Sequence, residues 1–524
     1  MKNIFFIFLF SSVVFSQSSN WWIYFSDKAC STDINLSFES VERRSLQGIE
    51  FDFYDIPVCD DYIKIINKYD LSIRHQSRWL NAVSVSVKSI DVIEQLKELN
   101  FVQEIKRVKT LKNSNKFNGS INLVNNNIYR SFINSYGPSF NQINMLGGVD
   151  LHNQGFVGNG IVIAVFDAGF TQTETLPIFN NLWINNQIVD TYDFVNNDTN
   201  VFLGSIHGTM VLSTMGGYMP DSLIGTAPGA TYMLFRTEDS SSETLVEEDN
   251  WAAAAEYADS VGAHIINSSL GYTILYDDTI NSHSYNDMDG NSTIITNAAD
   301  LAASRGILVV NSAGNSGNND WYYIGAPADG DSVLAVGAVN AIGEVASFSS
   351  RGPSYDGRIK PNVCAQGVYT VVADVDSTVR LANGTSFSSP LIAGLAACLW
   401  QSDTSLTNME LIDVIQESDH LFDNSNDSLG YGIPNFYQAF LSNLEIDAQF
   451  SSVSYFPNPF SNHFTLYNKT NNNITIDIFN IIGDMIYSSI LNPWHNNLDL
   501  SFAKSGLYFL KIRENNEVFK IIKN

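Results

Sequence analysis

Short, almost continuously apolar segments alternate with Ala-rich helical patterns through the middle of this chain, from about residue 136 to 443. The predicted strands are Ile161–Phe166, Thr231–Phe235, His264–Asn267, Ile307–Asn311 and Val333–Ala338, and the predicted helices between them include Trp251–Val261 and Thr296–Ser304. Near-continuous apolar strands separated by helices are typical of a parallel sheet covered on both faces. The pattern therefore predicts an α/β fold whose functional side chains gather at the carboxyl ends of the strands.

Different patterns flank this middle part. Leu80–Val87 alternates like a strand, Ile90–Leu99 has helical spacing and Phe101–Ile105 alternates again, which predicts an α+β module over residues 17–112. The polar, Asn-rich stretch 113–135 predicts a linker. Residues 446–524 carry short alternating segments separated by turn residues, such as Ile474–Ile478 and Leu507–Ile512, which predicts a small all-β sandwich.

Length and charge narrow the class of protein. At 524 residues the chain is too long for a single core, so it should form several domains. A formal net charge of −27 argues against nucleic-acid binding, which needs a basic surface, and against attraction to anionic membranes. We therefore expect no nucleic-acid partner.

The first sixteen residues have the pattern of a secretory signal. Met1-Lys2-Asn3 is followed by an apolar run from Ile4 to Phe15 and then by Ser16-Gln17. A positive start, a short apolar core and a small residue before a polar one predict a signal peptide over 1–16. The run is too short to cross a bilayer as a helix, and no later stretch reaches the required length.

The chain has four cysteines, which is few for an exported protein of this size. Cys30 and Cys59 lie close enough in sequence to form a pair in the N-terminal module. Cys364 and Cys398 lie in apolar surroundings that favour buried free thiols. The sequence leaves the pairing open.

The segment Asn383-Gly384-Thr385-Ser386 precedes a small-residue run with helical spacing. Gly384 allows a tight bend, which would expose the Ser386 hydroxyl at a helix N-terminus, where a developing negative charge is favoured. We expect Pro390 to lie in the first turn of this helix, where its missing N–H is tolerated. An ordinary helix cap is the alternative interpretation.

Three further residues lie at positions suited to catalysis. Asp167 directly follows the buried strand Ile161–Phe166, His207 precedes Gly-Thr at the start of a helical pattern, and Asn315 lies in a Gly-rich turn after another strand. Such an amide can donate to an oxyanion. Taken singly, each has a structural alternative. Asp, Asn and Gly are common in turns, and a lone histidine more often has a structural role.

Together, the ordered set Asp167, His207, Asn315 and Ser386 resembles the subtilisin-like serine peptidases. The matching blocks, which lie between residues 163 and 390, are Ile163–Gly169, His207-Gly208-Thr209, Asn267–Gly271, Ala313-Gly314-Asn315 and Gly384–Pro390. The resemblance implies a subtilisin-like three-layer domain with a mainly parallel sheet over 136–445. It further implies peptide-bond hydrolysis.

The same resemblance implies roles for these residues. Ser386 would attack the peptide carbonyl, His207 would move the proton, and Asp167 would orient the imidazole. Asn315 would hold the oxyanion together with the Ser386 N–H. Substrate-binding segments are implied at Ser269-Leu270-Gly271, which would offer backbone groups to an extended peptide, and at Ala313-Gly314, which would line a primary pocket.

This sequence departs from the family pattern in a few places. Asp167-Ala168-Gly169 lacks the usual hydroxyl after the aspartate, and His207-Gly208-Thr209-Met210 lacks a second histidine, but neither change removes a member of the triad. The short segment Met215–Leu223 lacks the calcium-binding loop of several relatives.

Two further motifs are assigned no site. Asp287, Asp289 and Asn291 have the alternate spacing of calcium ligands, although a solvated acidic loop is the favoured interpretation. We expect no cofactor and no catalytic metal. Gly158-Asn159-Gly160 precedes a strand, whereas a phosphate loop should follow one.

The flanking modules carry their own resemblances. The module over 17–112 is loosely similar to the family's propeptides, which would make it an intramolecular inhibitor. Residues 446–524 resemble the sorting domain of type IX secretion substrates through Tyr455–Phe460, Ile482-Gly483, Ser505–Phe509 and the terminal Lys520–Lys523. A carbohydrate-binding or adhesive sandwich is the alternative for this last module.

The sequence thus predicts a serine endopeptidase made as a precursor and exported through the periplasm of a bacterium with an outer membrane. Its partners would be protein or peptide substrates, its own propeptide and the type IX secretion machinery. The competing hypothesis is a catalytically silent surface or adhesion protein built on a peptidase scaffold.

Overall fold

The computed structural model of the protein describes residues 19–30, 33–108, 135–240, 246–273, 283–447, 453–456, 458–515 and 517–524. The predicted signal peptide over 1–16 lies outside the described residues, as does the predicted linker apart from residue 135. The chain divides into two compact units. The first contains 1–35, 51–112 and 244–249, and the second contains 36–50, 113–243 and 250–524.

The described strands, in chain order, are β1 (Ser19–Phe25), β2 (Leu71–Ser77), β3 (Ala82–Val87), β4 (Val102–Val108), β5 (Val162–Asp167), β6 (Ile188–Asp193), β7 (Tyr218–Met219), β8 (Leu223–Ile224), β9 (Thr231–Arg236), β10 (Ile265–Ser268), β11 (Leu308–Ser312), β12 (Val333–Val339), β13 (Val363–Gln366), β14 (Thr370–Ala373), β15 (Val379–Ala382), β16 (Val453–Phe456), β17 (His463–Asn468), β18 (Ile474–Asn480), β19 (Met485–Leu491), β20 (Trp494–Asp499), β21 (Gly506–Ile512) and β22 (Val518–Lys523). The helices are α1 (Phe38–Leu46), α2 (Asp60–Ile66), α3 (Ile90–Lys97), α4 (Phe140–Asn144), α5 (Gly148–Asn153), α6 (Asn180–Ile184), α7 (His207–Gly216), α8 (Val246–Val261), α9 (Ile294–Ser304), α10 (Thr385–Ser402), α11 (Asn408–Glu417) and α12 (Phe436–Asp447).

The first unit contains an antiparallel sheet in the order β2-β3-β1-β4, with helices α2 and α3 beside it. Its core joins the sheet residues Ile23 and Val85 to Ile66 of α2 and Ile93 of α3, all of them fully buried. Cys30 and Cys59 form a disulfide in this unit. The predicted α+β character is confirmed.

The second unit is built on a seven-stranded sheet in the order β13-β12-β11-β10-β5-β9-β6, and its pairings are parallel. The five inner strands coincide, within a residue or two, with the five predicted from apolar runs. Helices and a buried core accompany the sheet, and the predicted α/β fold class is confirmed. The edge strands β6 and β13 were not predicted.

The register aligns the carboxyl ends of the central strands. Ser268, the last residue of β10, pairs with Phe166 of β5 on one side and with Asn311 of β11 on the other. The carboxyl ends of parallel strands meet at one edge of a sheet, so Asp167 and the segments after β10 and β11 share that edge. Side chains predicted to act together are therefore placed on one side of the sheet.

Helix α10 is buried from Thr385 to Gln401 and passes through the core of the second unit. Its Gly394 lies so close to Thr226 that a Cβ built there would come within 2.0 Å of the Thr226 Oγ1. A side chain at position 394 would therefore force the two segments apart. The small-residue run after Ser386 allows this close approach.

The C-terminal residues form two antiparallel sheets, β16-β17-β20 and β19-β18-β21-β22. Buried residues from both sheets, including Leu466, Ile476 and Leu510, form one core. The predicted all-β character of this module is confirmed. Within the described ranges, no helix is both long and apolar enough to cross a membrane.

A buried charge cluster fastens α1 inside the second unit. Asp259 of α8 accepts hydrogen bonds from Arg43 Nη2 at 2.5 Å and from Arg44 Nη2 at 2.6 Å, and all three side chains are at most 1% exposed. Arg43 also donates to the carbonyl of Ala263 at 2.6 Å. Two guanidinium groups thus share one carboxylate away from water. Such a cluster offsets the cost of removing its charges from water only when its hydrogen-bond geometry is good.

We expect Asp259→Ala to destabilise the second unit by about 3–5 kcal/mol, because it removes the carboxylate shared by two buried guanidinium groups. The free energy of unfolding, measured by urea titration, checks this. Asp61→Ala is the matched control, since Asp61 pairs with Lys64 on the exposed surface and its loss should change the free energy of unfolding much less. Equal stability of the two variants would contradict the prediction.

Candidate active site

The ends of β5 and α7 bring Asp167 and His207 together. His207 Nδ1 lies 2.9 Å from each oxygen of the Asp167 carboxylate. Asp167 is fully buried and also accepts a hydrogen bond from the backbone N–H of Ala168 at 2.7 Å. The contact assigns the proton to Nδ1, which leaves the lone pair of Nε2 available to accept another proton.

The charge of Asp167 controls the protonation of His207. Burial of the imidazole by itself lowers its pKa, but the Asp167 charge and hydrogen bond raise it, and the net pKa lies above the ordinary value for histidine. The cationic ring is therefore more stable here than in water. Such stabilisation is what a general base needs once it has taken a proton.

Ser386 is the second residue of α10. Gly384, with φ of +148°, precedes the helix and turns the chain into it. The Ser386 hydroxyl donates a long hydrogen bond of 3.4 Å to the carbonyl of Ser269. The ring of Phe387 lies 5.7 Å from the ring of His207, centroid to centroid, so the start of α10 adjoins the start of α7.

Pro390 does not lie in the first turn, and that prediction was wrong. It is the sixth residue of α10, so it removes the hydrogen bond that the Ser386 carbonyl would accept in a regular helix. The hydroxyl of Ser269 donates to that carbonyl at 2.9 Å. The helix tolerates proline here because a side chain from the neighbouring segment replaces the missing N–H.

Asn315 is held by the residue that precedes Ser386. Its Oδ1 accepts hydrogen bonds from the Thr385 N–H at 2.9 Å and from the Thr385 hydroxyl at 3.0 Å. With the oxygen of the amide held in this way, its Nδ2 is the end left facing Gly384, 3.7 Å from the position of a Cβ at that glycine. The amide donor therefore lies beside the start of α10.

The two predicted substrate-binding segments also lie at this edge of the sheet. Ser269-Leu270-Gly271 follows β10, and the Leu270 carbonyl accepts from Asn311 Nδ2 at 3.0 Å. Ala313-Gly314 follows β11, and the Gly314 carbonyl accepts from the Ser350 N–H at 2.9 Å. Gly314 has φ of +105°, and a Cβ there would meet Ser350 Oγ at 2.9 Å.

The acidic loop that contains Asp287 and Asp289 uses its carboxylates in hydrogen bonds within the loop. Asp287 accepts from the N–H and hydroxyl of Ser284, and Asp289 accepts from the N–H and hydroxyl of Ser292. Across the described ranges, no group of three His, Cys, Asp or Glu side chains is placed to hold a metal ion.

Backbone N–H groups at the Gly158-Asn159-Gly160 turn donate to the side chain of Gln401. Gln401 Oε1 accepts from the N–H groups of Val157, Gly158 and Asn159 at 2.7–3.0 Å. The glutamine carbonyl thus occupies the position that a phosphate oxygen would need.

Sequence reasoning missed a buried network behind Ser386. Ser389 donates to Asn267 Oδ1 at 3.1 Å, and Asn267 Nδ2 donates to the Ser269 hydroxyl at 3.3 Å. The signal was a polar residue inside an otherwise apolar strand, since Asn267 is fully buried in β10. A buried polar side chain needs partners, and here they lead to the Ser386 carbonyl.

Three family models match parts of the chain. Residues 158–432 match the model of the Subtilase family. Residues 20–122 match the Peptidase S8 propeptide domain of Bacteroidota, and residues 454–524 match the Secretion system C-terminal sorting domain.

Several individual proteins are similar to the middle of the chain. M-protease of Shouchella clausii is 30% identical over 295 residues, which cover 56% of this chain and 66% of that protein. Subtilisin E of Bacillus subtilis is 31% identical over 279 residues, covering 52% and 64% respectively. Subtilisin Savinase of Lederbergia lenta is 30% identical over 295 residues, covering 56% and 93%. The chain thus spans just under two thirds of the first two relatives.

We expect Asp167→Asn to lower the pKa of His207 below the ordinary value for histidine, because the ring stays buried while the charge that raises its pKa is lost. Titration of the ring nitrogens by NMR checks this. Asp374→Asn, which removes a carboxylate paired with Arg380, is the control and should leave the pKa of His207 unchanged. An unshifted pKa in Asp167→Asn would contradict the assignment.

Proposed function

This chain belongs to the subtilase family, and on that premise we propose that it is a secreted serine endopeptidase that uses Asp167, His207 and Ser386 as its catalytic triad. The observation that carries the proposal is the contact of His207 Nδ1 with both oxygens of the buried Asp167 carboxylate, 2.9 Å each, beside the helix that begins at Thr385. A buried imidazole–carboxylate pair next to a helix-start serine has the composition of an activated nucleophile.

In the proposed mechanism the Ser386 hydroxyl attacks the carbonyl carbon of the scissile peptide bond. His207 Nε2 takes the hydroxyl proton, and the Asp167 charge stabilises the resulting imidazolium. The proton then passes to the leaving amine and an acyl-enzyme remains on Ser386. A water molecule, deprotonated by His207, attacks the acyl carbon and releases the carboxylic acid product.

The negative charge that develops on the carbonyl oxygen needs donors that are already in place. We assign this role to Asn315 Nδ2 and to the backbone N–H of Ser386. The two bonds from Thr385 fix the amide of Asn315, so its donor needs little reorganisation during the reaction. The start of α10 adds the favourable end of a helix dipole.

An extended peptide is the substrate class that suits this edge of the sheet. Ser269-Leu270-Gly271 would pair with the peptide backbone as an added strand, and Ala313-Gly314 would line the pocket for the residue before the scissile bond. Both segments follow neighbouring parallel strands, β10 and β11, so they flank one groove edge. We propose proteins and peptides as substrates on this basis.

The flanking modules place the enzyme in a maturation and export route. We propose that the N-terminal module inhibits the peptidase until it is cleaved, in keeping with the propeptide match over residues 20–122. The C-terminal sorting domain would engage the type IX secretion machinery after passage through the periplasm, which leads to a secreted or surface-bound enzyme.

We expect a fluorophosphonate probe to label the wild-type protein covalently and Ser386→Ala not at all, because the probe reacts only with an activated serine hydroxyl. Ser388→Ala is the matched control: Ser388 lies two residues away, is buried and donates to the Thr385 carbonyl. Equal labelling of wild type and Ser386→Ala, or no labelling of either, would favour the catalytically silent surface protein.

Asn315→Ala should keep the reactive serine but lower kcat for a peptide substrate by about 10²- to 10³-fold, the loss typical of one oxyanion donor. KM should change far less, since the donor acts on charge that appears in the transition state. Steady-state kinetics on a peptide library check this. A loss confined to KM would assign Asn315 to substrate binding.

We also expect the wild-type precursor to lose its N-terminal module on incubation, whereas Ser386→Ala keeps it, because the cut is proposed to come from the protein's own active site. Gel electrophoresis and N-terminal sequencing of the products check this. Cleavage of Ser386→Ala at the same rate in purified form would show that another protease performs the step.

A further inference from the structure

Asp167 lies where β5 ends, and the turn after it contains no side-chain hydroxyl. The next residue is Ala168, whose methyl group forms no hydrogen bond. The turn is therefore held only through hydrogen bonds to its own backbone groups. The Asp167 carbonyl accepts from the Thr237 N–H at 3.0 Å. The Ala168 carbonyl accepts from Arg236 Nε and from the Ser205 N–H, each at 3.3 Å.

Arg236 is the last residue of β9 and its guanidinium is buried, with 6% of the side chain exposed. Arg236 Nη1 donates to Asp193 Oδ2 at 2.8 Å, and Arg236 Nη2 lies 3.7 Å from Asp239. A buried cation that loses its partner is strongly destabilising, so the guanidinium is confined to this position. Its Nε is then directed at the Ala168 carbonyl.

Asp193 is in turn fixed by its own loop. It is fully buried at the end of β6, and its Oδ1 accepts from the N–H groups of Val195 and Asn196 at 2.8 and 3.0 Å. Asn196 Nδ2 donates to Asp193 Oδ2 at 2.9 Å. The carboxylate that holds Arg236 therefore cannot rotate away without breaking several other bonds.

The same contacts continue to the start of α7. Ser205 Oγ accepts from the His207 N–H at 3.0 Å, and Gly208 N–H donates to the Gly169 carbonyl at 3.1 Å. Gly204, directly before Ser205, has φ of +79°, and a Cβ at this glycine would come within 2.6 Å of the Ala168 carbonyl oxygen. The turn after Asp167 and the loop before His207 are thus packed as one body.

We propose that Arg236 is a positioning residue for the catalytic pair: the Asp193–Arg236 ion pair fixes the Ala168 carbonyl and thereby sets the Asp167 carboxylate against His207. The kinetic part of this inference rests on the proposed peptidase function, whereas the part about the His207 ring does not.

The test compares Arg236→Met with the wild type and with Lys360→Met. Methionine keeps the bulk of the side chain but removes the donor to Ala168. We expect kcat on a peptide substrate to fall about 10- to 100-fold, as misplacement of a catalytic group does, with KM within about twofold. A change in KM alone would overturn the inference.

Lys360→Met controls for the loss of a buried basic side chain. Lys360 is 2% exposed and donates to the carbonyls of Gly330 and Val333 at 2.8 Å each, and its described bonds reach neither Asp167 nor His207. Both variants should unfold at a lower temperature, but only Arg236→Met should lose kcat per folded molecule. Equal retention of kcat in the two variants would show that Arg236 serves stability alone.

A double-mutant cycle with Asp167→Ala tests whether Arg236 acts through Asp167. If it does, Arg236→Met should lower kcat no further, beyond about twofold, once the carboxylate is gone. Independent, multiplicative losses would overturn the inference.

The pKa of His207, followed by NMR, gives a readout that does not need activity. Arg236→Met should lower it towards the value in Asp167→Asn, and Lys360→Met should not. An unchanged pKa in Arg236→Met would overturn the inference even in an inactive protein. Labelling by the fluorophosphonate probe tests the peptidase function separately.

Discussion

The burial of helix α10 is the constraint on which the site depends. The helix is buried along nearly its whole length, and Gly394 brings it against Thr226 without room for a side chain. Its direction and depth are therefore fixed by packing, and with them the position of Ser386 at its start. Helix α7 contacts α10 closely and begins with His207. The relative position of these two helix starts is thus set by core packing.

Buried hydrogen bonds further fix the position of the α10 start. The chain of bonds from Ser389 through Asn267 to Ser269 lies entirely in buried positions, and it ends on the carbonyl of Ser386. On the other side of Ser386, Thr385 holds the amide of Asn315. Buried networks of this kind are costly when incomplete, so each member constrains the next.

The sequence predicted the parts of the fold that have strong periodicity. The five inner strands are apolar on both faces and were identified as continuous runs, whereas β6 (Ile188–Asp193) is half-exposed at the sheet edge and lacks that signal. β13 is fully buried, but its four residues include only one large apolar side chain, that of Val363, so it lacks the apolar run that identified β10. The triad positions followed from the ends of β5 and the starts of two helical patterns, because those features are local.

Features that depend on contacts between distant segments could not be predicted. The position of Pro390 was wrong because its tolerance comes from Ser269, a residue 121 positions away in the chain. Arg236 gave no signal, since an arginine at a strand end is usually solvated, and only the fold places Asp193 beside it. The Cys30–Cys59 pair was one of the alternatives left open, and the geometry of the first unit selects it.

The missing N–H of Pro390 ties the position of Ser386 to the Ser269 segment. The Ser386 carbonyl accepts its hydrogen bond from Ser269 instead. The residue proposed to align the peptide and the residue proposed to attack it are therefore directly hydrogen-bonded. Under the proposed roles, a change in the Ser269 segment would also move Ser386, so this segment would have little freedom to vary in evolution. Preferences for different substrate side chains would then have to evolve in segments that form no bond with Ser386.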